Sequence, residues 1–418
     1  MRVLFATTPQ KSVFLYLAPM AWALRTAGHE VRFASQPALT DVITQSGLTA
    51  VPVGHSRNLR LSDVDGREEG RAGLPAPYDV FDDDERATWD YLEPGMADAV
   101  RGWHWLTNHP MVGGLVEFAR AWQPDLIVWE PFCYAGPIAA KACGAAHARL
   151  LFGVDVFGAA REQYRRRMAE EPGRADHLGG WLGRYARMYG AEFTEDMTTG
   201  QFTIDQFPAS FQPDTGLDTL RTQYIPYGGP AVVPDWLSKP PERPRVAMTL
   251  GLTATEHFNG YTVGVQEALD ALAGLDIELV ATVAKKAQAE LTRIPDNTRI
   301  VSYVPWHALA PTCSVVVHHA GAATMATTSR HPVPQLALHH HYDQPFLGRK
   351  LAEHGAGLEI PTHRATGARI RESVERLLTE QSFKDCAVDL RDEILGLPSP
   401  NAIVPEIEAR VAEHRKGR

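Results

Sequence analysis

Two doubly wound α/β domains facing a cleft are the fold class that this sequence predicts, on three observations. The chain has 418 residues, too many for a single core. Short apolar runs alternate with helical periodicity in two separate blocks, the pattern of parallel sheets covered by helices on both faces. Between the blocks, from about Pro213 to Pro244, come Pro226, Gly228, Gly229, Pro230, Pro234, Pro240 and Pro241, a density that favours an irregular crossing between domains.

The first block opens with the continuous apolar strand Arg2–Ala6. Helical spacing follows over Pro19–Leu24, with Gly28 as its stop. Glu30–Ser35 reads as a strand, Pro37–Ser46 as a helix ended by Gly47, and Leu48–Val53 as a third strand. The rhythm breaks over Gly54–Ala99. There Arg57–Gly73 is polar and glycine-rich and Phe81–Arg86 is acidic, the mark of a functional or mobile insertion. It resumes with a strand at Asp125–Trp129, a helix at Ala135–Cys143 and a strand at His147–Phe152. In the second block strands are expected at Arg245–Leu250, Ile277–Val283, Arg299–Val304, Ser314–His318 and Val333–Leu338. Helices are expected at Thr262–Leu275, Gln344–His354 and Gly367–Leu378, with a last amphipathic helix at Ala402–Glu413.

Composition narrows the function classes. A net charge of -9 argues against a duplex nucleic-acid binder, which needs a basic face. The four cysteines, Cys133, Cys143, Cys313 and Cys386, form no CxxC pair, so neither a zinc site nor a redox motif is expected. The opening apolar run is too short for a signal peptide. No stretch approaches the ~18 apolar residues of a membrane span. A soluble, cytoplasmic protein is expected.

The strongest local signal is Val315-Val316-Val317-His318-His319-Ala320-Gly321-Ala322-Ala323-Thr324. A buried strand ends in histidine and small residues open a helix, so backbone amides and the positive helix end favour an anion. An ordinary strand-to-helix turn gives the same pattern. Further on, Asp343-Gln344-Pro345 opens a helix after a strand; a carboxylate and an amide there suit sugar hydroxyls, or Asp343 is a plain N-cap. Asp82-Asp83-Asp84 lies in a polar insertion and reads as a solvated acidic loop. His339-His340-His341 chelate poorly, because consecutive residues in an extended chain point alternately. They are placed at the cleft mouth.

These motifs carry a resemblance. Leu17 to Arg32, Pro124 to Pro131, His147 to Leu151, Val232 to Leu237 and Val304 to Thr324 resemble the family 1 glycosyltransferases of the GT-B fold, with two Rossmann-like domains. Within that family the likeness is to actinomycete enzymes that glycosylate macrolides and aromatic polyketides from thymidine-diphospho (TDP) deoxysugars. The resemblance implies an acceptor-binding domain over 1–215, a linker over 216–243, a nucleotide-sugar domain over 244–400, and a C-terminal helix over 401–418 that packs back toward the first domain. It implies that His318, Gly321, Ala322, Ala323 and Thr324 hold the diphosphate, with Gly251 and Thr253 beside it. Tyr303 and Val304 would pack against the base, and Asp343 and Gln344 would touch the sugar.

Two departures from the family pattern stand out. Alanines replace the usual glycines at 320 and 323. Val13, in a segment read as the loop after the first strand, replaces the histidine that serves as general base. The expected substitutes are Glu130 first and Asp155 second, and the valine leaves O- and C-glycosidic bonds both open. The resemblance implies inverting transfer with no metal and no cofactor beyond the donor substrate. The partners expected are the nucleotide sugar and a small-molecule aglycone, held near Trp129, Phe132 and the insertion, with Trp89, Tyr91, Trp103 and Trp105 either lining that pocket or packing helices together. A cytochrome-P450-like activator and a second copy of the chain are further candidate partners. The rival readings are a catalytically silent relative and a nucleotide-sugar epimerase.

Overall fold

The computed structural model describes residues 1–56, 73–251 and 261–416. Two parallel sheets dominate it. The first has seven strands in the order β3-β2-β1-β4-β5-β6-β7: β1 Arg2–Ala6, β2 Glu30–Ser35, β3 Thr49–Pro52, β4 Leu126–Trp129, β5 Ala146–Leu150, β6 Thr203–Asp205 and β7 Thr219–Arg221. The second has six in the order β10-β9-β8-β11-β12-β13: β8 Arg245–Thr249, β9 Glu278–Thr282, β10 Thr298–Val301, β11 Val315–His318, β12 Gln335–His339 and β13 Gly357–Pro361. In each sheet the strand order reverses once, between β1 and β4 and between β8 and β11, and crevices open at the carboxyl ends of such neighbours. These strands are near-continuous apolar runs because both faces are covered: Leu4, Phe5, Ile127, Val128, Val315 and Val317 are all buried.

The helices follow the sequence less closely. α1 runs Lys11–Thr26 with Pro19 inside it, so helical structure begins eight residues before the proline, which had marked the apparent start. Val13 therefore stands in the first turn of α1, buried, and not in a loop. α2 (Thr40–Gln45) precedes β3. The region read as an insertion leads into α3 (Trp89–Ala99) and α4 (Trp105–Trp122), joined by one π-helical turn at Val100–His104. After α5 (Ala135–Cys143) come α6 (Val156–Ala169) and α7 (His177–Met188), which hydropathy does not announce. Their interior includes Arg161, buried and paired with Asp176 and Glu195. The second domain adds α8 (Val265–Leu272), α9 (Ala322–Thr328), α10 (Gln344–His354), α11 (Gly367–Thr379) and α12 (Gln381–Gly396).

Strand β7 lies inside the stretch read as a linker and pairs with β6, so the first sheet extends past its expected limit. The chain crosses beyond it and returns after α12. The two crossings touch: Thr222 Oγ1 donates to the Pro398 carbonyl at 2.9 Å and Gln223 N to the same oxygen at 2.9 Å. The final helix α13 (Val404–Lys416) then packs on the first sheet, with Ile403, Val404, Ile407 and Val411 in the core that holds Val3 and Phe5. Among the described residues no helix is long and apolar enough to cross a membrane.

The two domains meet along a packed seam. Phe81 lies 5.2 Å from Phe346 and Phe132 lies 6.5 Å from Tyr342, ring centre to ring centre. Asp82 pairs with Arg349 across it, which gives the acidic run an interdomain role. Asp83 accepts the Arg86 amide and Asp84 accepts Arg166.

Candidate functional site

A small, largely apolar crevice of the second domain lies where β8 and β11 end. His319, His341 and Gln344 line it with the apolar Leu250, Val263 and Leu338. The sequence reading puts the anion contact at His318, a ring that the structure holds inside the domain. His318 is fully buried. Its Nδ1 accepts the Ala320 amide at 2.9 Å and its Nε2 donates to Gln335 Oε1 at 2.9 Å, with Gln335 held in turn by Ser329. Both ring nitrogens are spent inside the domain, and burial pushes the imidazole down to about 3, so it stays neutral. His319 points the other way, as alternation along an extended chain requires. It keeps partial exposure, and burial lowers it to about 4 against a hydrogen bond to the Thr249 backbone.

Two glycines make room for that ring. A Cβ added at Gly251 would stand 2.5 Å from it, and one at Gly321 2.2 Å. Gly251 also takes φ +76, which favours glycine independently. Gly321, Ala322, Ala323 and Thr324 form the partly exposed turn into α9, where first-turn amides lack helical acceptors. Ala320 holds φ +59, the left-handed region that costs an L side chain roughly 1–2 kcal/mol. Thr253 lies outside the described residues. Tyr303 is half exposed with its hydroxyl 3.3 Å from the Gly228 carbonyl, and Val304 is buried in the domain core.

Asp343 stands at the N-cap position of α10 yet makes no side-chain cap. Its Oδ2 crosses the seam and accepts the Val154 amide at 3.0 Å, and burial lifts the carboxyl to about 6. Gly153 fits because it lacks a Cβ, which would lie 2.3 Å from that oxygen. Gln344 Oε1 accepts the amides of His340 and His341 at 3.1 and 2.9 Å. The three histidines diverge as expected: His339 bonds Glu359, His340 bonds Thr362, and His341 faces the crevice. Among the described residues no three His, Cys, Asp or Glu side chains are grouped to hold a metal.

Both residues expected to act as base are engaged elsewhere. Glu130, just past β4, has no exposed surface. Its Oε1 accepts Thr8 N at 2.9 Å and Thr8 Oγ1 at 2.8 Å, and its Oε2 accepts Phe132 N at 2.7 Å. Burial raises the carboxyl to about 7 against these hydrogen bonds, so its basicity suits proton transfer, but nothing at the surface can reach it. Asp155 caps α6 through the Gly158 amide and pairs at 2.5 Å with Arg149, both buried. The aromatic residues assigned to an acceptor pocket are largely core. Trp129 is buried with its indole N–H on His147, and Trp103 packs between Tyr78, Phe132 and Phe157. Trp89 packs on Tyr164 and beneath Arg174. Trp105 is exposed and stacks on His109. His341 lines the crevice, as expected of the histidine run, whereas His319 had been given no role by sequence reasoning. Strand alternation signals that one of two adjacent histidines faces out, but not which.

With this geometry in hand, likeness to known proteins becomes informative. Residues 22–251 match the N-terminal domain of the erythromycin biosynthesis protein CIII-like family and residues 266–410 match its C-terminal domain. The chain is 46% identical to 10-deoxymethynolide desosaminyltransferase of Streptomyces venezuelae, covering 100% of this chain and 98% of that one. It is 44% identical to aklavinone 7-beta-L-rhodosaminyltransferase of Streptomyces galilaeus, covering 99% and 97%. Among solved structures it superposes on the glycosyltransferase VinC in complex with dTDP with a TM-score of 0.88 at 38% identity, covering 99% and 100% of the two chains.

Proposed function

The chain belongs to the erythromycin biosynthesis protein CIII-like family of glycosyltransferases, and from that premise we propose that it moves a deoxysugar from a TDP donor to a polyketide-type aglycone, with inversion and without a metal. The observation that carries the reading is the His319 ring. It is seated against two glycines and lines the crevice, beside a turn of partly exposed residues. The full-length relatives named for deoxysugar transfer and the dTDP-bound neighbour support the choice of donor.

In this reading the diphosphate lies along Gly321–Thr324. It is held by His319, the first-turn amides and the Thr324 hydroxyl, with Gln344 and Asp343 toward the sugar and Tyr303 toward the base. His319, the amides and the Thr324 hydroxyl are neutral donors placed where negative charge grows as the C–O bond to the diphosphate breaks. Preorganised donors of that kind account for much of the rate enhancement at such sites. The acceptor attacks the anomeric carbon from the opposite side. Val13 offers no proton acceptor, and Glu130 and Asp155 are committed inside the first domain, so the proton of the acceptor hydroxyl passes to solvent or to the leaving diphosphate. The expectation of C-transfer gains no support from the relatives, and an oxygen nucleophile is the reading adopted. A cytochrome-P450-like helper and a second copy of the chain stay as proposed partners, read out by turnover on addition of the helper and by mass in solution. Residence in the cytoplasm belongs to the same proposal.

Purified protein, a TDP-deoxysugar and candidate macrolide or anthracycline aglycones, in the presence of chelator, should give a product heavier by one sugar in the mass spectrum. Failure with every aglycone, helper included, or dependence on added magnesium or manganese, would overturn the proposal.

A further inference from the structure

Tyr16 puts a buried polar group at the seam. Tyr16 stands one turn along α1 from Val13, on the same side of the helix. It is 2% exposed, and its hydroxyl has no partner among the described residues. The ring itself is well fixed: it stacks on Tyr224 at 4.4 Å, and Gln206 holds its carbonyl. Its surroundings belong to both domains. Tyr16 packs in one cluster with Phe132 and Val154 of the first domain and with Ala320 and Met325, which flank the diphosphate turn, of the second. Asp343, bonded to the Val154 amide, and Asp205 are close enough to act on it electrostatically.

Native proteins rarely leave a buried hydroxyl unsatisfied, and each exception calls for an explanation. Core packing does not supply one, since phenylalanine would stack on Tyr224 equally well. Acid–base work does not either. Burial and the two carboxylates hold the phenol well above its usual range, so at working pH it keeps its proton and can only donate. On the donor reading above, a hexose attached to the diphosphate extends from the turn toward Asp343, and the Tyr16 hydroxyl is buried in the cluster that borders that turn. We propose that the Tyr16 hydroxyl donates a hydrogen bond to an oxygen of the donor's hexose, an inference that rests on the donor site described above.

The test is Tyr16→Phe, with calorimetry on two probes, thymidine diphosphate and TDP-glucose. The variant loses only an oxygen that bonds nothing in the free protein, so its melting temperature should be unchanged or higher. Thymidine diphosphate should bind within about twofold of wild type, and TDP-glucose about 3- to 12-fold more weakly. TDP-glucose bound as by wild type overturns the inference and leaves the donor site standing. Equal weakening toward both probes overturns it too, by placing the hydroxyl on the diphosphate. Wild-type protein that binds neither probe removes the donor site and this inference with it.

Discussion

The two sheets reverse strand order at equivalent places, and they use the resulting crevices in opposite ways. At the end of β4, Glu130 fills the crevice: it gathers Thr8 and Phe132 onto its two oxygens and has no exposed surface. At the end of β11, glycines make room for the His319 ring, which lines the crevice. Strand-end position therefore does not make a site. What separates the two is whether the polar side chain at the strand end is closed in by its own chain or faces the crevice.

The contrast can be broken most directly with the adjacent histidines. His319→Ala should weaken thymidine diphosphate binding by about 1.5–3 kcal/mol, some 10- to 150-fold, with little loss of stability. His318→Ala should do the reverse. It leaves Gln335 and the Ala320 amide unpaired, costs about 1–3 kcal/mol of folding free energy, and affects nucleotide affinity far less. Calorimetry and thermal melts on both variants decide the matter, and equal losses of affinity would erase the distinction.

Glu130→Gln sharpens the comparison at the other crevice. The amide cannot accept both at Thr8 and at Phe132, so stability should fall by about 1–3 kcal/mol. Transfer by the folded enzyme should stay within about threefold of wild type; a loss near 10²-fold would restore Glu130 as base. The pH dependence has a definite sign. Burial raises this carboxyl from 4.5 to about 7. The folded state therefore holds the proton more tightly, and its stability declines as pH climbs from 4.5 to 7. His318, lowered from 6.5 to about 3, works oppositely, and stability declines as pH falls below 6.5. Each substitution should flatten its own limb of a denaturant-melt profile against pH.

The smallest effect expected is at Ala320. Ala320→Gly relieves the left-handed strain at φ +59 but gives up a buried methyl, so a net gain of about 0.5 kcal/mol is expected from urea melts. A clear loss would show that the methyl outweighs the strain.

The strands were legible because parallel strands buried on both faces are written as apolar runs, and β1 and β2 fall where hydropathy alone puts them. Helices α6 and α7 were not, since α6 carries arginines at 161, 165, 166 and 167, and it is tertiary pairing of Arg161 that allows such a helix indoors. Pro19 misled because a helix interior can absorb a proline. At the site the diphosphate turn was visible as small residues after a strand. Which of the two histidines faces the crevice was not legible, because a shift of one residue inverts the face and sequence carries no parity mark. Glu130 was misjudged for a different reason: its saturation depends on Thr8, more than a hundred residues away.

The two chain crossings bonded together at Thr222, Gln223 and Pro398 have a mechanical meaning. A single tether would let the domains wander. Two tethers pinned side by side, with α13 clamped on the first sheet, act as one pivot and leave rotation about it as the easy motion. Groups held by the two halves thus meet at the high effective concentration of a linked pair.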